Sequence, residues 1–414
     1  MASRAFGLQY ETHGALLPYA STSPRRDQMS RVLAFLILAV LCTAPVFAHH
    51  GPGTFELGKS VTFTGKLTRI DFVNPHSWLY FEATDANGRV SKYRCEMRSA
   101  HTLRRSGWTK ELFPINSMVT IEAAPDRADP NSCYLNTIRF ENGSHMDRYG
   151  QYVKATGGGV QEVRGALPVA VKPRDARRPS GEPNISGDWA PEQVVMADPR
   201  GTGGGLVPLS QLETAKPAQR GGGGGGRRAG GPPAGPRLYG GTELTTMGEQ
   251  AAAKFVRDDN PRFRCETTSI LFDWVFDGPV NRITQNKDTI VIQYGQMDLR
   301  RTVFMNMKTH PANVKPTRAG HSIGRWDGDV LIIDTVGFLP GVLNAPVRHG
   351  DKLHVVERFT LDPKTTKLTR TYTAEDPDYL KGQYTGNDTV GIADQPFTKD
   401  NCKDQTLVNY SKQN

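Results

Sequence analysis

The sequence predicts a mainly β protein in which two β modules are joined by a flexible linker. Two regions, at about residues 60–140 and 262–384, carry short runs of alternating apolar and polar residues separated by turn dipeptides. Between them the chain is rich in glycine, proline and arginine, and residues 221–226 are all glycine. Such a stretch buries too little apolar surface to offset the entropy of ordering it. We therefore expect residues 143–242 to be a mostly disordered linker.

Residues 1–48 have the features of an upstream extension followed by a secretory signal peptide. Residues 32–41 are continuously apolar, follow Arg31 and precede a small-residue site that ends at Ala48. This run is too short to cross a bilayer, which needs about 20 residues. We expect export to the periplasm or the exterior of a bacterial cell, with no stable membrane anchor after cleavage. Translation from Met29 is an alternative start.

The composition argues against several classes of function. Lysine and arginine total 51 against 42 aspartate and glutamate, which gives a formal net charge of +9. The basic residues are spread along the chain and do not form one patch with interleaved aromatic residues, so nucleic-acid recognition is not favoured. The glycine run lacks the lysine and the serine or threonine of a phosphate-binding loop, and no His-Glu-x-x-His helix is present. A non-catalytic binding protein is the favoured interpretation.

Residues 49–142 are predicted to form a small barrel. Three strand patterns precede a helical pattern that begins after Ser99, a suitable N-cap, and stops at Gly107. Two further strand patterns follow the helix. Three strands, a helix and two strands are the order of elements in an oligonucleotide/oligosaccharide-binding (OB) fold, a partly open five-stranded barrel. The strand patterns cover residues 60–71, 77–84, 89–96, 117–124 and 133–140.

Several short motifs of this module also resemble a known family. They are His49-His50, Val61-Thr62-Phe63-Thr64-Gly65, Asn74-Pro75-His76, Asn87-Gly88 and Arg105-Ser106-Gly107-Trp108-Thr109. In this order they resemble the exported bacterial family called domain of unknown function 6152, over roughly residues 49–142. The resemblance implies a similar fold and export, and it implies no established activity.

Residues 243–414 are predicted to form a second β module. Its short strands at regular spacing favour an antiparallel lipocalin-like barrel or a curved sheet. The island at residues 184–189, an exception within the predicted linker, is interpreted as the first strand of this module. Residues 320–329 resemble a β-rich domain of uncharacterised exported bacterial proteins. The strand patterns cover residues 280–284, 289–293, 301–307, 321–326, 330–336, 352–361 and 367–374.

Four cysteines remain after the predicted cleavage, and an oxidising compartment would pair them. Three pairings are open from the sequence. Pairing within each module gives Cys95 with Cys133 and Cys265 with Cys402. The absence of a Cys-x-x-Cys spacing argues against a thiol oxidoreductase and against a structural zinc site.

Cleavage after Ala48 would create a metal site at the new N-terminus. His49 would offer its α-amine and its ring nitrogen to one ion, and His50 or His76 would supply a third nitrogen. Nitrogen-rich sites of open geometry suit Cu(II), with Zn(II) and Ni(II) as competitors. Glu96 is a weaker candidate for an additional oxygen ligand. The alternative is an exposed chain end, with His76 at a turn.

The second module carries the weaker candidates for catalysis, which are His321, Asp334 and Glu357. Asp334 shares a strand face with apolar residues, and a partner such as His321 or Arg301 would make it a general base or a ligand-orienting group. His354 and Glu357 lie an odd number of residues apart, so they face opposite sides of a regular strand. A buried structural ion pair or an exposed strand face is the alternative for Asp334.

Three functions follow from these patterns. The leading hypothesis is an exported two-module binding protein with an N-terminal copper site and a small-ligand pocket in the C-terminal barrel. The second is an enzyme that uses His321, Asp334 and Glu357 in that barrel. The third is an oligosaccharide-binding OB-like module that binds its ligand through Trp78 and Tyr80.

Overall fold

The structure is a computed structural model, and it describes only part of the chain. The described residues are 54–84, 88–148, 175–196 and 242–410, together with short strands at 151–156, 159–164 and 206–208. The predicted signal peptide, His49, His50 and most of the predicted linker lie outside these residues.

The first described module is a five-stranded barrel, as predicted, and it is closed where the prediction was a partly open one. Strand β1 pairs with β2 and β4, β2 pairs with β3, and β4 pairs with β5, all antiparallel. The barrel closes because β3 and β5 run parallel, with Cys95 opposite Cys133. Helix α1 lies between β3 and β4, and Ser99 caps it by accepting a hydrogen bond from the amide of Thr102. The elements are β1 (Val61–Asp71), β2 (Trp78–Thr84), β3 (Val90–Glu96), α1 (Ala100–Arg105), β4 (Met118–Pro125) and β5 (Ser132–Phe140).

Three short strands extend the sheet of the first barrel beyond β5. Each pairs antiparallel with its predecessor, in the order β5-β6-β7-β8. They are β6 (His145–Asp147), β7 (Gln151–Thr156) and β8 (Gly159–Arg164).

The second module is a closed barrel of nine strands. Its ring order is β13-β14-β15-β16-β17-β20-β21-β23-β9, and β18-β19, β12-β22 and β10-β11 form small two-stranded sheets beside it. The strands are β9 (Gly187–Pro191), β10 (Val194–Met196), β11 (Leu206–Pro208), β12 (Glu243–Leu244), β13 (Asn281–Gln285), β14 (Thr289–Gln293), β15 (Arg300–Phe304), β16 (His321–Asp327), β17 (Val330–Val336), β18 (Gly341–Asn344), β19 (Val347–His349), β20 (His354–Asp362), β21 (Lys367–Glu375), β22 (Leu380–Lys381) and β23 (Gln383–Ile392); the helices are α2 (Thr246–Ala253) and α3 (Leu407–Tyr410).

The ring contains one parallel pair, which departs from the antiparallel barrel that the sequence predicted. An odd number of strands cannot alternate in direction all the way around a closed ring. The parallel pair is β15 with β16, where Val303 lies opposite Ser322. A parallel pair needs a crossover connection, and residues 305–320 supply it across the outside of the barrel.

Strand β9 confirms that the island at residues 184–189, within the predicted linker, belongs to the second barrel. It pairs antiparallel with β13 on one side and with β23 on the other, so it completes the ring. Trp189 on this strand is fully buried, and its indole nitrogen donates to the carbonyl of Ile185 at 2.8 Å. The sequence did not predict β23 or the β18-β19 hairpin.

The segment before β13 packs against the inward-facing side chains of the second barrel. Ile270, Leu271 and Trp274 belong to its buried core. The Trp274 ring meets the rings of Tyr294 and Phe359 edge to face, each at 5.8 Å. This segment therefore fills space that an open lipocalin-like barrel would leave for a ligand.

The two barrels contact each other directly, which the sequence did not predict. The Arg105 guanidinium of α1 bonds to Asp394 at 2.9 Å and donates to the carbonyl of Gly278 at 3.2 Å. The C-terminal segment crosses the same junction, where the side chain of Asn74 donates to Asp400 and the amide of Lys403 donates to the Asn74 carbonyl.

Both disulfides form within the modules as the sequence analysis suggested. Cys95 bonds to Cys133 across the β3-β5 closure of the first barrel. Cys265 bonds to Cys402, 137 residues away, and so ties the C-terminal segment to the start of the second barrel.

Candidate functional site

A groove crosses the outer face of the first barrel. It encloses about 610 Å³ and is formed by β1, β2 and β3 together with Asn131 before β5. Outward-facing positions alternate with core positions along each strand, so Tyr80 and Glu82 face the groove while Leu79 and Ala83 face the core. This face is the one that OB folds use for oligonucleotides and oligosaccharides.

Cationic side chains dominate the groove. Its lining contains one carboxylate, Glu82, and four cationic side chains: Arg69, Arg89, Lys92 and Arg94. Arg94 is buried and bonds to Asp129 at 3.1 Å, which fixes its guanidinium at the edge of the groove. Lys92 is exposed. Asp129 and Asp71 pair with Arg94 and Arg69 beside the groove and offset two of these charges, so the arrangement favours a ligand that carries negative charge.

The aromatic residues of this face differ from the expectation for sugar binding. Trp78 is only 1% exposed, so its ring offers no stacking surface, and the predicted grip through Trp78 is wrong. Tyr80 does line the groove, and the guanidinium of Arg69 lies over its ring at 3.7 Å. Partial burial raises the pKa of the Tyr80 phenol, so this group stays neutral and able to donate a hydrogen bond.

His76 lies at a second site on the first barrel. Its Nδ1 atom is 2.8 Å from the Glu96 carboxylate, and its side chain is 25% exposed. Glu96 lies opposite Tyr134 in the β3-β5 pair, and Phe55 stacks on Tyr134 at 5.3 Å. The first described residues of the chain therefore lie near the end of β3, where Glu96 contacts His76.

The predicted metal site is only partly within the described residues. His49 and His50 lie outside them, and His76 and Glu96 lie inside. Among the described residues, no group of three or more histidine, cysteine, aspartate or glutamate side chains is placed to hold a metal ion. Nδ1 of His76 is buried close to the Glu96 carboxylate but is not aligned to donate a hydrogen bond to it, so the described residues supply one histidine and one carboxylate near each other.

Glu357 lies in the interior of the second barrel. Its carboxylate sits between two buried guanidinium groups, those of Arg301 and Arg370, and all three side chains are at most 1% exposed. Arg370 also bonds to Asp388 and donates to the carbonyls of Ile270 and Leu271. This ion network and the packed segment fill the barrel here. The predicted small-ligand pocket therefore does not lie in this part of the interior.

Asp334 lies on the opposite, outer face of the barrel wall, in a cluster of three histidines. Its Oδ1 atom is 3.0 Å from Nε2 of His310 and 3.0 Å from Nε2 of His354. The Nδ1 atoms of His310 and His321 are 2.8 Å apart. The β16-β17-β20 register explains the cluster, because Asp334 pairs with Ile323 and Val356, each two residues after a clustered histidine. We call these four residues the Asp334 cluster.

The pKa shifts in the Asp334 cluster follow from its contacts. The hydrogen bond with His354 lowers the pKa of Asp334, and the same bond raises the pKa of His354. Partial burial lowers the pKa of His321, and the neighbouring charge of His310 lowers it further. Near neutral pH the cluster therefore combines an ionised carboxylate with an uncharged His321.

The three catalytic candidates do not converge on one site. His321 and Asp334 face outward and are linked through His310, whereas Glu357 faces the barrel core opposite Ile333. The predicted split of His354 and Glu357 between opposite faces is confirmed. The sequence analysis missed His310 because this residue lies on the crossover, outside any strand pattern.

Residues 320–324 read Gly-His-Ser-Ile-Gly, the spacing of a hydrolase nucleophile elbow. The structure places them at the start of β16 and not at a strand-to-helix turn. Ser322 is fully buried, accepts a hydrogen bond from Arg301 at 2.8 Å and lies 3.0 Å from the Thr335 hydroxyl. This serine supports the interior network and is not placed to attack a substrate.

Comparison with known proteins finds a family model that matches most of the first barrel and assigns it no function. The model of a family of unknown function (DUF6152) matches residues 37–133, which confirms the resemblance of the N-terminal module. No curated protein and no solved structure matches the chain. The resemblance of residues 320–329 to a second exported domain stays a prediction. Within the described ranges, no helix is long and apolar enough to cross a membrane.

Proposed function

We propose that this protein is an exported binding protein whose first barrel holds an acidic oligosaccharide in the groove across β1, β2 and β3. The observation that carries the proposal is the groove itself, about 610 Å³ in volume, with four cationic side chains against one carboxylate. Two disulfides support export, because such bonds persist mainly in oxidising compartments.

The chemistry of the groove favours a charged sugar over a nucleic acid. Guanidinium groups such as those of Arg69 and Arg89 match the geometry of carboxylates and suit uronic acid residues. Binding of single-stranded nucleic acid relies on several aromatic rings on which bases stack. Here Arg69 already lies over the Tyr80 ring, Trp78 is buried, and Phe81 belongs to the core. Hydroxyl-binding groups, including Glu82 and Asn131, complete a polar lining.

Calorimetric titration with an oligogalacturonate tests the proposal. We expect saturable binding that weakens as salt concentration rises, because the ligand replaces counterions at the cationic groove. Lys92→Glu should weaken binding by at least about tenfold, since it replaces an attraction by a repulsion at an exposed position. Lys110→Glu is the matched control, because Lys110 is exposed and does not line the groove.

Three outcomes would contradict the acidic-sugar assignment. One is equal loss of affinity in the Lys92 and Lys110 variants, which would indicate a non-specific charge effect. Another is equal affinity for a neutral oligosaccharide of the same length. The third is tighter binding of a single-stranded oligonucleotide than of the oligogalacturonate, which would reassign the groove to nucleic acid.

A copper site at the processed N-terminus is the second candidate function, and His76 favours it. Nδ1 of this partly exposed ring is buried beside Glu96, which leaves Nε2 as the candidate metal-binding atom. The amide of Arg127 donates to the Thr54 carbonyl, which fixes the start of the described chain beside the barrel. Thr54 is five positions after His49, and an extended chain over five positions reaches at most about 17 Å.

Metal analysis of protein processed after Ala48 tests the copper site. We expect one Cu(II) per chain, and we expect its loss when one residue is added before His49, because the free α-amine is then displaced. His76→Gln should lower the affinity, whereas His145→Gln, on β6, should not. Metal-free processed protein, or binding that is unchanged by the added residue, would refute the site.

A further inference from the structure

We propose that the Asp334 cluster is a pH-sensitive latch that holds the crossover of residues 305–320 on the barrel wall at neutral pH and releases it in mild acid. The crossover connects the parallel strands β15 and β16, and its ends are fixed by backbone hydrogen bonds. Met305 donates to Asp288 at 2.9 Å, and Thr317 donates to Gly337 at 3.1 Å. Between these two anchors, His310 contacts two different strands of the wall.

The geometry of His310 limits how many protons the cluster can carry. An ionised carboxylate only accepts hydrogen bonds, so Nε2 of His310 carries the proton in its 3.0 Å contact with Asp334. The 2.8 Å contact between the Nδ1 atoms of His310 and His321 holds one proton between two nitrogens. A doubly protonated pair would place two N–H groups against each other. The contact is therefore compatible with one positive charge on the two rings and incompatible with two.

The remaining neighbours hold Asp334 in place, so protonation of the cluster frees His310 from the barrel wall and leaves Asp334 where it is. His354 bonds to the same Asp334 oxygen, and its strand partner Glu375 adds a second carboxylate beside it. Protonation of His354 strengthens its contact with Asp334. The Phe304 ring stacks on the other contact surface of His321 at 5.2 Å and carries no charge to offset a second proton.

The sign of the pH dependence follows from His321. Its pKa is lowered in the folded chain, by partial burial first and by His310 second. A histidine whose folded pKa is depressed contributes stability that is fully present above its unfolded value of about 6.5 and is lost as pH falls below it. His354 has the opposite sign, and the pKa of Asp334 is lowered, chiefly by its hydrogen bond with His354, so this carboxylate stays charged in mild acid. Between about pH 6.5 and 4, the His310-His321 contact is therefore the contact in the cluster that protonation weakens.

Hydrogen exchange of the full chain tests the latch. The amides of Met305 and Thr317, whose hydrogen bonds to Asp288 and Gly337 hold the ends of the crossover, should lose protection between pH 7 and pH 5, after correction for intrinsic exchange. Amides of β23 should not change. His321→Gln should abolish the pH step, because a neutral side chain beside His310 removes the conflict. His354→Gln should retain it.

Histidine ring titration by NMR on the wild-type chain gives a second readout that needs no variant. The latch predicts that His321 titrates below 6.5 and that crossover amide shifts follow the same curve. A crossover whose exchange is independent of pH, a step of equal size in His321→Gln, or a His321 titration without crossover shifts would each overturn the proposal.

Discussion

Glu357 shows how a charged residue is held in the interior of a barrel. Its carboxylate is shared by Arg301 and Arg370, and both guanidinium groups have further acceptors around them. Two buried cations and the carboxylates of Glu357 and Asp388 keep this part of the interior electrically balanced. The sequence placed His354 and Glu357 on opposite faces of this strand, but it did not show that Glu357 is the residue that faces the interior. The partners of Glu357 lie on strands that are far apart in the chain.

Glu357→Gln should therefore destabilise the second barrel strongly. The substitution keeps the shape of the side chain and removes the charge between two buried guanidinium groups, and breaking a buried ion pair in this way costs about 3–5 kcal/mol. The free energy of unfolding from urea denaturation measures the effect. Arg358→Gln, at the adjacent exposed position, should change it by less than about 0.5 kcal/mol. Equal stability of the two variants would contradict the proposed role of Glu357 between the two buried guanidinium groups.

Asp273 should make the stability of the protein depend on pH near neutrality. Complete burial raises the pKa of Asp273 to about 7, although the amide of Thr268 and the charge of Arg262 favour the ionised form. An acid whose folded pKa lies above its unfolded value destabilises the fold as it ionises. The contribution of Asp273 to the free energy of unfolding should fall by up to about 1.4 kcal/mol for each unit by which pH rises between about 4 and 7.

Asp273→Asn tests this dependence, since the amide oxygen can still accept the 2.8 Å hydrogen bond from Thr268. The variant should be more stable than the wild type at pH 8, and the difference should shrink toward pH 5. Urea denaturation at four pH values measures both trends. The assignment would be refuted if the free energy of unfolding changed between pH 5 and pH 8 by the same amount in the wild type and in the variant.

At the scale of elements, the sequence predicted most of the strands and missed those whose role is set by distant partners. The five strands and the helix of the first barrel follow local signals: alternation, the Ser99 cap and the positive φ of Gly107 at the helix end. Strand β23 lacks such a pattern, because polar residues and glycine occupy much of it. It forms because the edges of β21 and β9 supply its hydrogen bonds.

The C-terminal segment after β23 has little regular structure, and the Cys265-Cys402 bond should provide much of its order. Closing a loop of 137 residues stabilises the fold by about 5 kcal/mol in the chain-entropy model. A Cys265→Ser, Cys402→Ser double variant should unfold at a lower temperature than the wild type. Amides of residues 393–406 should exchange faster in the variant than in the wild type, and this increase should exceed any increase in β21. The single intact bond of the first barrel is the internal control, because Cys95 and Cys133 should stay paired by peptide mapping. Unchanged exchange in the segment would contradict this role.

At the scale of the molecule, the sequence predicted two barrels and a linker, and it did not predict that the barrels touch. The linker composition favoured independent modules, yet the contact is made by residues that carry no interface signal in sequence. Arg105 belongs to the last turn of a short helix, and Asp394 follows the final strand of the other barrel, 289 residues away. Charged residues in those positions are ordinarily interpreted as solvent-exposed. Only the fold brings them together with Gln193, which also donates to Asp394.

Arg105→Ala should uncouple the two barrels in thermal unfolding. Arg105 is 6% exposed, and its loss removes one ion pair and one hydrogen bond to a carbonyl across the junction. Hydrogen bonds to charged groups contribute about 1.5–3 kcal/mol each, so the junction should weaken while each barrel core is untouched. Scanning calorimetry should show one transition in the wild type and two in the variant. Lys110→Ala, at an exposed position just after α1, should behave as the wild type. A single transition for Arg105→Ala would mean that the C-terminal contacts through Asn74 and Asp400 hold the barrels together without it.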